Sequence, residues 1–274
     1  MADDSIIDKA STMQHLEEPL LGGVERAYTT GDYADAIVTC KGKTWKVHRL
    51  VLCSHSEFFR KAWGGEFKEA KERAIELPDD EPRTVEAMLS YLYKRDYDAQ
   101  SGGSGEEDIA SIVLDARVFI IADKYFILKL KDLAAIKLQE RAKAEWKSPA
   151  FANAISEVYT ASPAEDRTLH DIVIETVKEH AVELFQDEEA HASFHAVVDN
   201  VGDFAADLLK ALGREHSKTA KEKKKATTYK CPYCATKFSL DRPPPYSGSN
   251  FSCPCCRNYI NTPLWWSDYG VLDE

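Results

Sequence analysis

Five cysteines crowd into residues 231–256, and four of them form two C-x-x-C pairs: Cys231-Pro-Tyr-Cys234 and Cys253-Pro-Cys-Cys256. Eighteen residues separate the pairs. A C-x-x-C turn brings two thiols to one side of a tight bend, and two such turns complete a tetrahedral shell of four sulfurs. That donor set is soft and closed, so it is structural rather than catalytic, and zinc is the ion that prefers it. The intervening Arg242-Pro-Pro-Pro-Tyr-Ser-Gly-Ser-Asn250 is turn-rich, as the loop of a small ribbon would be. Cys255 either replaces Cys253 or Cys256 as a ligand or stays free; the C-x-x-C symmetry favours the free thiol. A redox pair is the rival reading, but it wants a βαβ context that is missing here. So small a tail cannot hold a core unaided, and metal binding is expected to supply much of its folding free energy. Trp265 and Trp266 are expected to cover that miniature core, with an exposed partner-binding pair as the alternative.

The cysteines also locate the tail within the chain. Residues 214–228 (REHSKTAKEKKKATT) are charged and lack an apolar face, which predicts a linker after a helix closed by Gly213 and a separate unit over 229–274. Ahead of it the chain alternates between two periods. Residues 1–19 read as loosely ordered and 20–30 as a short helix. Ala36–Cys40 is a β-branched run, Lys41-Gly42 a two-residue turn, and Trp45 and Val47 alternate with polar neighbours on the return: a hairpin. Residues 49–62 turn helical, broken near Ser54 and Ser56. Ala74–Leu77 is a short strand stopped by Pro78. Val85, Met88, Leu89 and Leu92 then mark one face of a helix. A Gly-Ser loop over 98–107 is followed by two helices within 108–146, one starting at Pro149 and one over 167–184. A last stripe runs through Val201, Phe204, Ala205, Leu208, Leu209 and Leu212.

The residues in the first half carry a resemblance. The stretches YADAIVTCKGKTWKVHRLVLCSHSEFF (33–59), IELPDDEPRTVEAMLSYLY (75–93) and IADKYFILKLK (121–131) resemble, in order, the motifs of the BTB (POZ) domain. The resemblance covers residues 20–140 and implies an α+β fold, a small sheet flanked by helical hairpins. Residues 141–213 then read as an all-α extension, similar over 148–212 to the helical region that follows BTB domains in many fungal proteins.

The resemblance also implies what such a domain does. BTB domains are protein–protein modules, often homodimers, so a dimer surface is implied around residues 20–35 and 48–62. Asp35 and Arg49 match a charged pair that several relatives place there; the alternative is that Asp35 starts a strand and Arg49 is solvated. Phe67-Lys68-Glu69 matches the hydrophobic-x-Glu pattern that cullin-binding BTB proteins carry just before this strand. An apolar anchor beside a rim carboxylate is chemically suited to a docking groove, although three residues with one wildcard also arise as an ordinary solvated Glu beside a half-buried Phe.

Composition narrows the partners. The formal net charge of −11 disfavours an electrostatic grip on nucleic acid. No run approaches the ~20 apolar residues of a membrane span. The acidic start MADDSIIDKA is unlike a secretory leader, and unscattered thiols suit a reducing compartment, so cytoplasm or nucleus is expected. His191 and His195 stand four apart, but Ala192 occupies the place of the Glu in H-E-x-x-H, and surface histidines are expected. No Gly-rich phosphate loop or G-x-S-x-G is present, and no enzyme is expected. Two functions remain. One is a protein-interaction adaptor with protein partners, a homodimer and a cullin scaffold among them, and with structural zinc. The other is a nuclear regulator whose ribbon and Lys221–Lys225 contact nucleic acid; charge favours the adaptor.

Overall fold

The structure, a computed structural model, describes residues 22–97, 109–162, 165–223, 227–231, 233–240 and 251–260. The expected flexible start (1–19), the Gly-Ser stretch 98–107, and Trp265 and Trp266 lie outside them. The chain forms two compact units, Met1–Leu208 and Leu209–Glu274.

The first unit opens with a helix over residues 22–30, α1. Strands β1 (Ala36–Cys40) and β2 (Lys43–Val47) follow as an antiparallel hairpin with Val38 opposite Trp45. Both turn residues, Lys41 (φ 43°) and Gly42 (φ 85°), lie in the left-handed region. That is the backbone of a type I′ turn, whose twist matches the strands it joins. Inward-facing Ala36, Val38 and Cys40 of β1 are buried. Helices α2 (Arg49–His55), α3 (Glu57–Gly64) and the single turn α4 (Lys68–Glu72) then lead to β3 (Ala74–Glu76). β3 pairs parallel with β1, giving the order β2-β1-β3.

The expected break between α2 and α3 falls at Ser56, and its physics is clear. The Ser56 hydroxyl accepts from Phe59 N–H (3.2 Å), capping α3, and donates to the Tyr125 carbonyl (2.6 Å) far along the chain. Helix α5 (Pro82–Lys94) buries Val85, Met88, Leu89 and Leu92 on the expected face.

Helices α6 (Ser111–Lys124) and α7 (Leu128–Glu145) form the central hairpin. α6 also packs on α5 and on α8 (Pro149–Ala161), and so is covered nearly all round. Its one buried charge, Asp115, has no exposed surface. Asp115 accepts from the Tyr97 hydroxyl (2.8 Å) and from Arg141 Nε of α7 (2.7 Å). Burial pushes the Asp115 carboxyl up from its ordinary range, opposed by the Tyr97 hydroxyl and the Arg141 guanidinium.

Beyond α8, which Ser148 caps and Pro149 opens, come α9 (Thr168–Gln186) and α10 (Ala192–Asn200). Helix α11 (Gly202–Lys223) buries Phe204 and Leu208 but leaves Leu209 largely exposed, so the expected apolar stripe is narrower than read. A second difference is larger. α11 does not end at Gly213, and the predicted 214–228 linker is helical to Lys223, with a strand beginning at Thr227. One interior Gly costs a helix only about 1 kcal/mol relative to Ala, and the Arg, Glu, Lys and Ala around it are good helix formers.

The second unit carries two separate hairpins: β4 (Thr227–Lys230) with β5 (Lys237–Leu240), and β6 (Phe251–Ser252) with β7 (Tyr259–Ile260). Among the described residues no helix is long and apolar enough to cross a membrane.

Two outcomes follow for the first unit. Asp115→Ala strands the Arg141 cation, which is partly solvent-reached; urea denaturation should show a loss of about 3 kcal/mol, the lower end for a broken buried pair. Asp166 gives a pH signature. Partial burial would raise its carboxyl, but the Lys131 ammonium and the Thr168 hydroxyl and N–H outweigh this and hold it at about 2. A depressed carboxyl stabilises the fold above its unfolded value of ~3.9 and loses that contribution as pH falls toward 2. The stability gap between wild type and Asp166→Asn should therefore narrow between pH 4 and pH 2.

Candidate docking surface and metal centre

The four paired cysteines meet. The Sγ atoms of Cys231, Cys234, Cys253 and Cys256 all lie within 4.8 Å of one another. Cys231 Sγ is 3.7 Å from Cys256 Sγ, and Cys234 Sγ is 3.8 Å from Cys253 Sγ. A tetrahedron with metal–sulfur bonds of about 2.3 Å has sulfur–sulfur edges of about 3.8 Å, so the donors fit one tetrahedral ion.

Each hairpin builds its half of the cluster in the same way. The N–H of the first cysteine donates to the carbonyl five residues on: Cys231 to Thr236 and Cys253 to Asn258, both 3.0 Å. The N–H four residues on returns to that cysteine's carbonyl: Ala235 to Cys231 and Arg257 to Cys253, both 2.9 Å. Ala235 (φ 58°) and Arg257 (φ 59°) adopt the left-handed conformation that closes each knuckle. Hydrogen bonds also reach the sulfurs: the Cys256 and Cys255 amides lower the Cys253 thiol, and the Thr236 hydroxyl and N–H bring the Cys234 thiol down to about 6. The Cys256 thiol moves the other way: the Asn258 amide would lower it, but the neighbouring sulfurs outweigh that amide, so two of the four thiols are favoured as the thiolate that binds metal. Cys255 stands outside the cluster; its exposed Sγ accepts from the Thr236 hydroxyl at 3.6 Å.

In the first unit, Phe67 is 62% exposed and borders a groove of about 380 Å³. Phe58, Ala62, Ile75 and Phe126 line it together with the charged Glu57, Lys61 and Glu69. Phe67 is the residue immediately before α4, and Glu69 is in that helix's first turn, so a one-turn helix that sequence periodicity did not reveal positions both. Gly65 makes room: a Cβ there would lie 2.9 Å from the Phe67 ring. Phe126, also in the lining, is 59% exposed and takes φ 56°, a conformation held by its N–H to Asp123 O (3.1 Å). The Ser56–Tyr125 bond joins the residues that immediately precede Glu57 and Phe126 of the lining. The Lys61 ammonium beside Glu57 holds its carboxyl below the usual range.

Asp35 and Arg49 also meet, but not as side chain to side chain. The exposed Asp35 carboxylate accepts the Arg49 backbone N–H (2.8 Å), which opens α2, whose preceding residue His48 supplies no side-chain cap. The Arg49 guanidinium instead donates through Nη2 to the Trp63 carbonyl (3.0 Å). A helix N-terminus competes well for a carboxylate, because its first N–H groups have no partner within the helix. His191 and His195 do not converge. His191 is buried just before α10 rather than on the surface, and His195 Nε2 contacts the Leu184 carbonyl at 3.0 Å.

The family model of the BTB/POZ domain matches residues 24–139. Residues 24–139 form a BTB/POZ domain. Kelch-like protein 11 of Mus musculus is 24% identical over 169 residues, which are 59% of this chain and 21% of that protein. BTB/POZ and MATH domain-containing protein 4 of Arabidopsis thaliana is 34% identical over 107 residues, 36% of this chain and 22% of that protein. Among solved structures, the BTB domain of zebrafish PATZ1 aligns at 12% identity with a TM-score of 0.36, covering 44% of this chain and 90% of that one. The chain thus spans about a fifth of the length of these two curated relatives. Within the BTB/POZ domain, Phe126 is the groove residue that sequence reasoning missed. It lies inside the quoted IADKYFILKLK motif, but nothing in a motif marks a left-handed residue that turns an aromatic ring outward.

Proposed function

We propose that this chain is a protein-interaction adaptor without catalytic activity, whose BTB/POZ domain pairs with a second copy and docks a cullin-type ubiquitin-ligase scaffold. The observation that carries the reading is the exposed Phe67 ring on an apolar groove with Glu69 in its lining. A large aromatic left in water is costly for a monomer and is the kind of residue that dominates a binding energy once covered. The lining carboxylates set which partner surfaces are tolerated, since like charges are repelled before contact. The α8–α11 extension and the tail then present a further partner. Zinc is the ion proposed for Cys231, Cys234, Cys253 and Cys256, on the fit of the sulfur tetrahedron. The ion would supply a structural cross-link between the two hairpins, with no open position for chemistry. Cytoplasm and nucleus are the proposed compartments. The net charge of −11 weighs against nucleic acid as the tail's partner.

Three measurements test these assignments. The double substitution Phe67→Ala with Glu69→Ala should weaken binding of a purified cullin by about 2 kcal/mol, roughly thirty-fold, with the circular dichroism spectrum unchanged; equal affinity of the two proteins refutes the docking. Sedimentation equilibrium should return twice the chain mass. Elemental analysis should find one zinc per chain, retained in Cys255→Ser and lost in Cys253→Ser, and a protein purified without bound metal would end the zinc assignment.

A further inference from the structure

Cys255 is the one exposed cysteine of seven. A free cysteine is among the most buried of residue types, and on a surface its reactivity, not its packing, accounts for it. Cys255 is also in company. It stands in the second knuckle beside Cys256, and its N–H donates to Cys253 Sγ (3.4 Å). The Thr236 hydroxyl contacts both Cys255 Sγ (3.6 Å) and Cys234 Sγ (3.3 Å). One small group therefore lies between two sulfurs that belong to different hairpins.

The other four thiols are placed differently. Cys231, Cys234, Cys253 and Cys256 share a single centre, and Cys231 and Cys253 are buried. A sulfur engaged at such a centre has its lone pairs directed inward, whereas Cys255 faces outside reagents. Cys234 and Cys256 are each half-buried and so stay within reach of a side chain on the surface. A bond from Cys255 to Cys256 would join sequence neighbours in a small, strained ring. A bond to Cys234 has no such constraint, and the Thr236 contacts already hold those two sulfurs close.

We propose that Cys255 is a peroxide-sensing thiol, which captures Cys234 in a disulfide and thereby dismantles the four-sulfur site. In the first step the Cys255 sulfur attacks an oxygen of a hydroperoxide. The S–O bond forms as the O–O bond breaks; the sulfur is oxidised to a sulfenic acid, and the peroxide is reduced to water or an alcohol, taking up the thiol proton. In the second step the Cys234 sulfur attacks the Cys255 sulfur. The S–S bond forms, the S–O bond breaks, and hydroxide leaves as water with a proton from the Cys234 thiol or from solvent. Three sulfurs are then left for the ion, too few for a closed tetrahedral shell. Glutathione, the thiol reductant of a reducing compartment, reverses the bond by exchange, which makes the change a switch and not damage. The consequence for the ion rests on the zinc reading above; the disulfide itself does not.

The test exposes the full chain, as purified, to hydrogen peroxide, alkylates the remaining thiols in denaturant, and maps disulfides by peptide mass spectrometry. A chromophoric zinc chelator reads metal release in parallel. One disulfide between Cys234 and Cys255 is expected, accompanied by release of metal, and glutathione with added zinc should restore the starting state. In Cys255→Ser the peroxide-driven release should slow about ten-fold or more, because the accessible sulfur is gone. Equal release from the two proteins, a disulfide joining any other pair, or Cys255 recovered unpaired overturns the proposal. A preparation without metal that still forms the Cys234–Cys255 bond would instead remove the zinc reading and leave this disulfide standing.

Discussion

A carboxylate with no exposed surface, Asp115, sits at the middle of the helix that touches most of its neighbours. Its partners come from elements on either side: Tyr97 from the segment after α5, Arg141 from α7. Removing a charge from water is expensive, so only one rotation of α6 is tolerable, the one that delivers both oxygens to both donors. An apolar helix could slide or turn against apolar neighbours at small cost. This one is keyed. The chain leaving the C-terminal end of α6 then places Phe126 at the Phe67 groove, so the internal charge governs where that surface ring emerges.

The tail solves a different problem. Its hairpins are too short to bury a core, and the order that remains comes from backbone bonds around each pair of thiols. Two knuckles of the same design, each with a left-handed residue after its second cysteine, point four sulfurs at one centre. Neither half is a site alone. An ion held by the four sulfurs, as proposed above, would supply long-range order in place of the apolar contacts that hold the first unit.

How far the chain could be read from its letters depended on the range of the determining interaction. The β1–β2 hairpin, the apolar face of α5 and the cysteine pairs were legible, because turn chemistry and periodicity act over a few residues. The pairing of β3 parallel to β1 was not, since nothing local states which strand a three-residue segment will join. The short α4 was hidden too: it is one turn long, too little for a period. Arg49 shows the subtler limit. Its partner Asp35 was identified, yet the bond runs to the backbone amide, because a helix terminus was competing for the same carboxylate. Helix α11 ran past Gly213 because a glycine is a strong stop only where it takes the left-handed cap conformation itself, which Gly213 does not, and good helix formers follow.

The strand order has a consequence for how the chain comes into being. β1 is used on both edges, but its two neighbours arrive at different times. β2 follows after a two-residue turn and can zip within microseconds. β3 is more than thirty residues behind β1 and must wait for α2, α3 and α4 to form the crossover. A nascent chain emerging from a ribosome therefore passes through an interval in which Ile37–Thr39 offers bare amides and carbonyls to any passing strand.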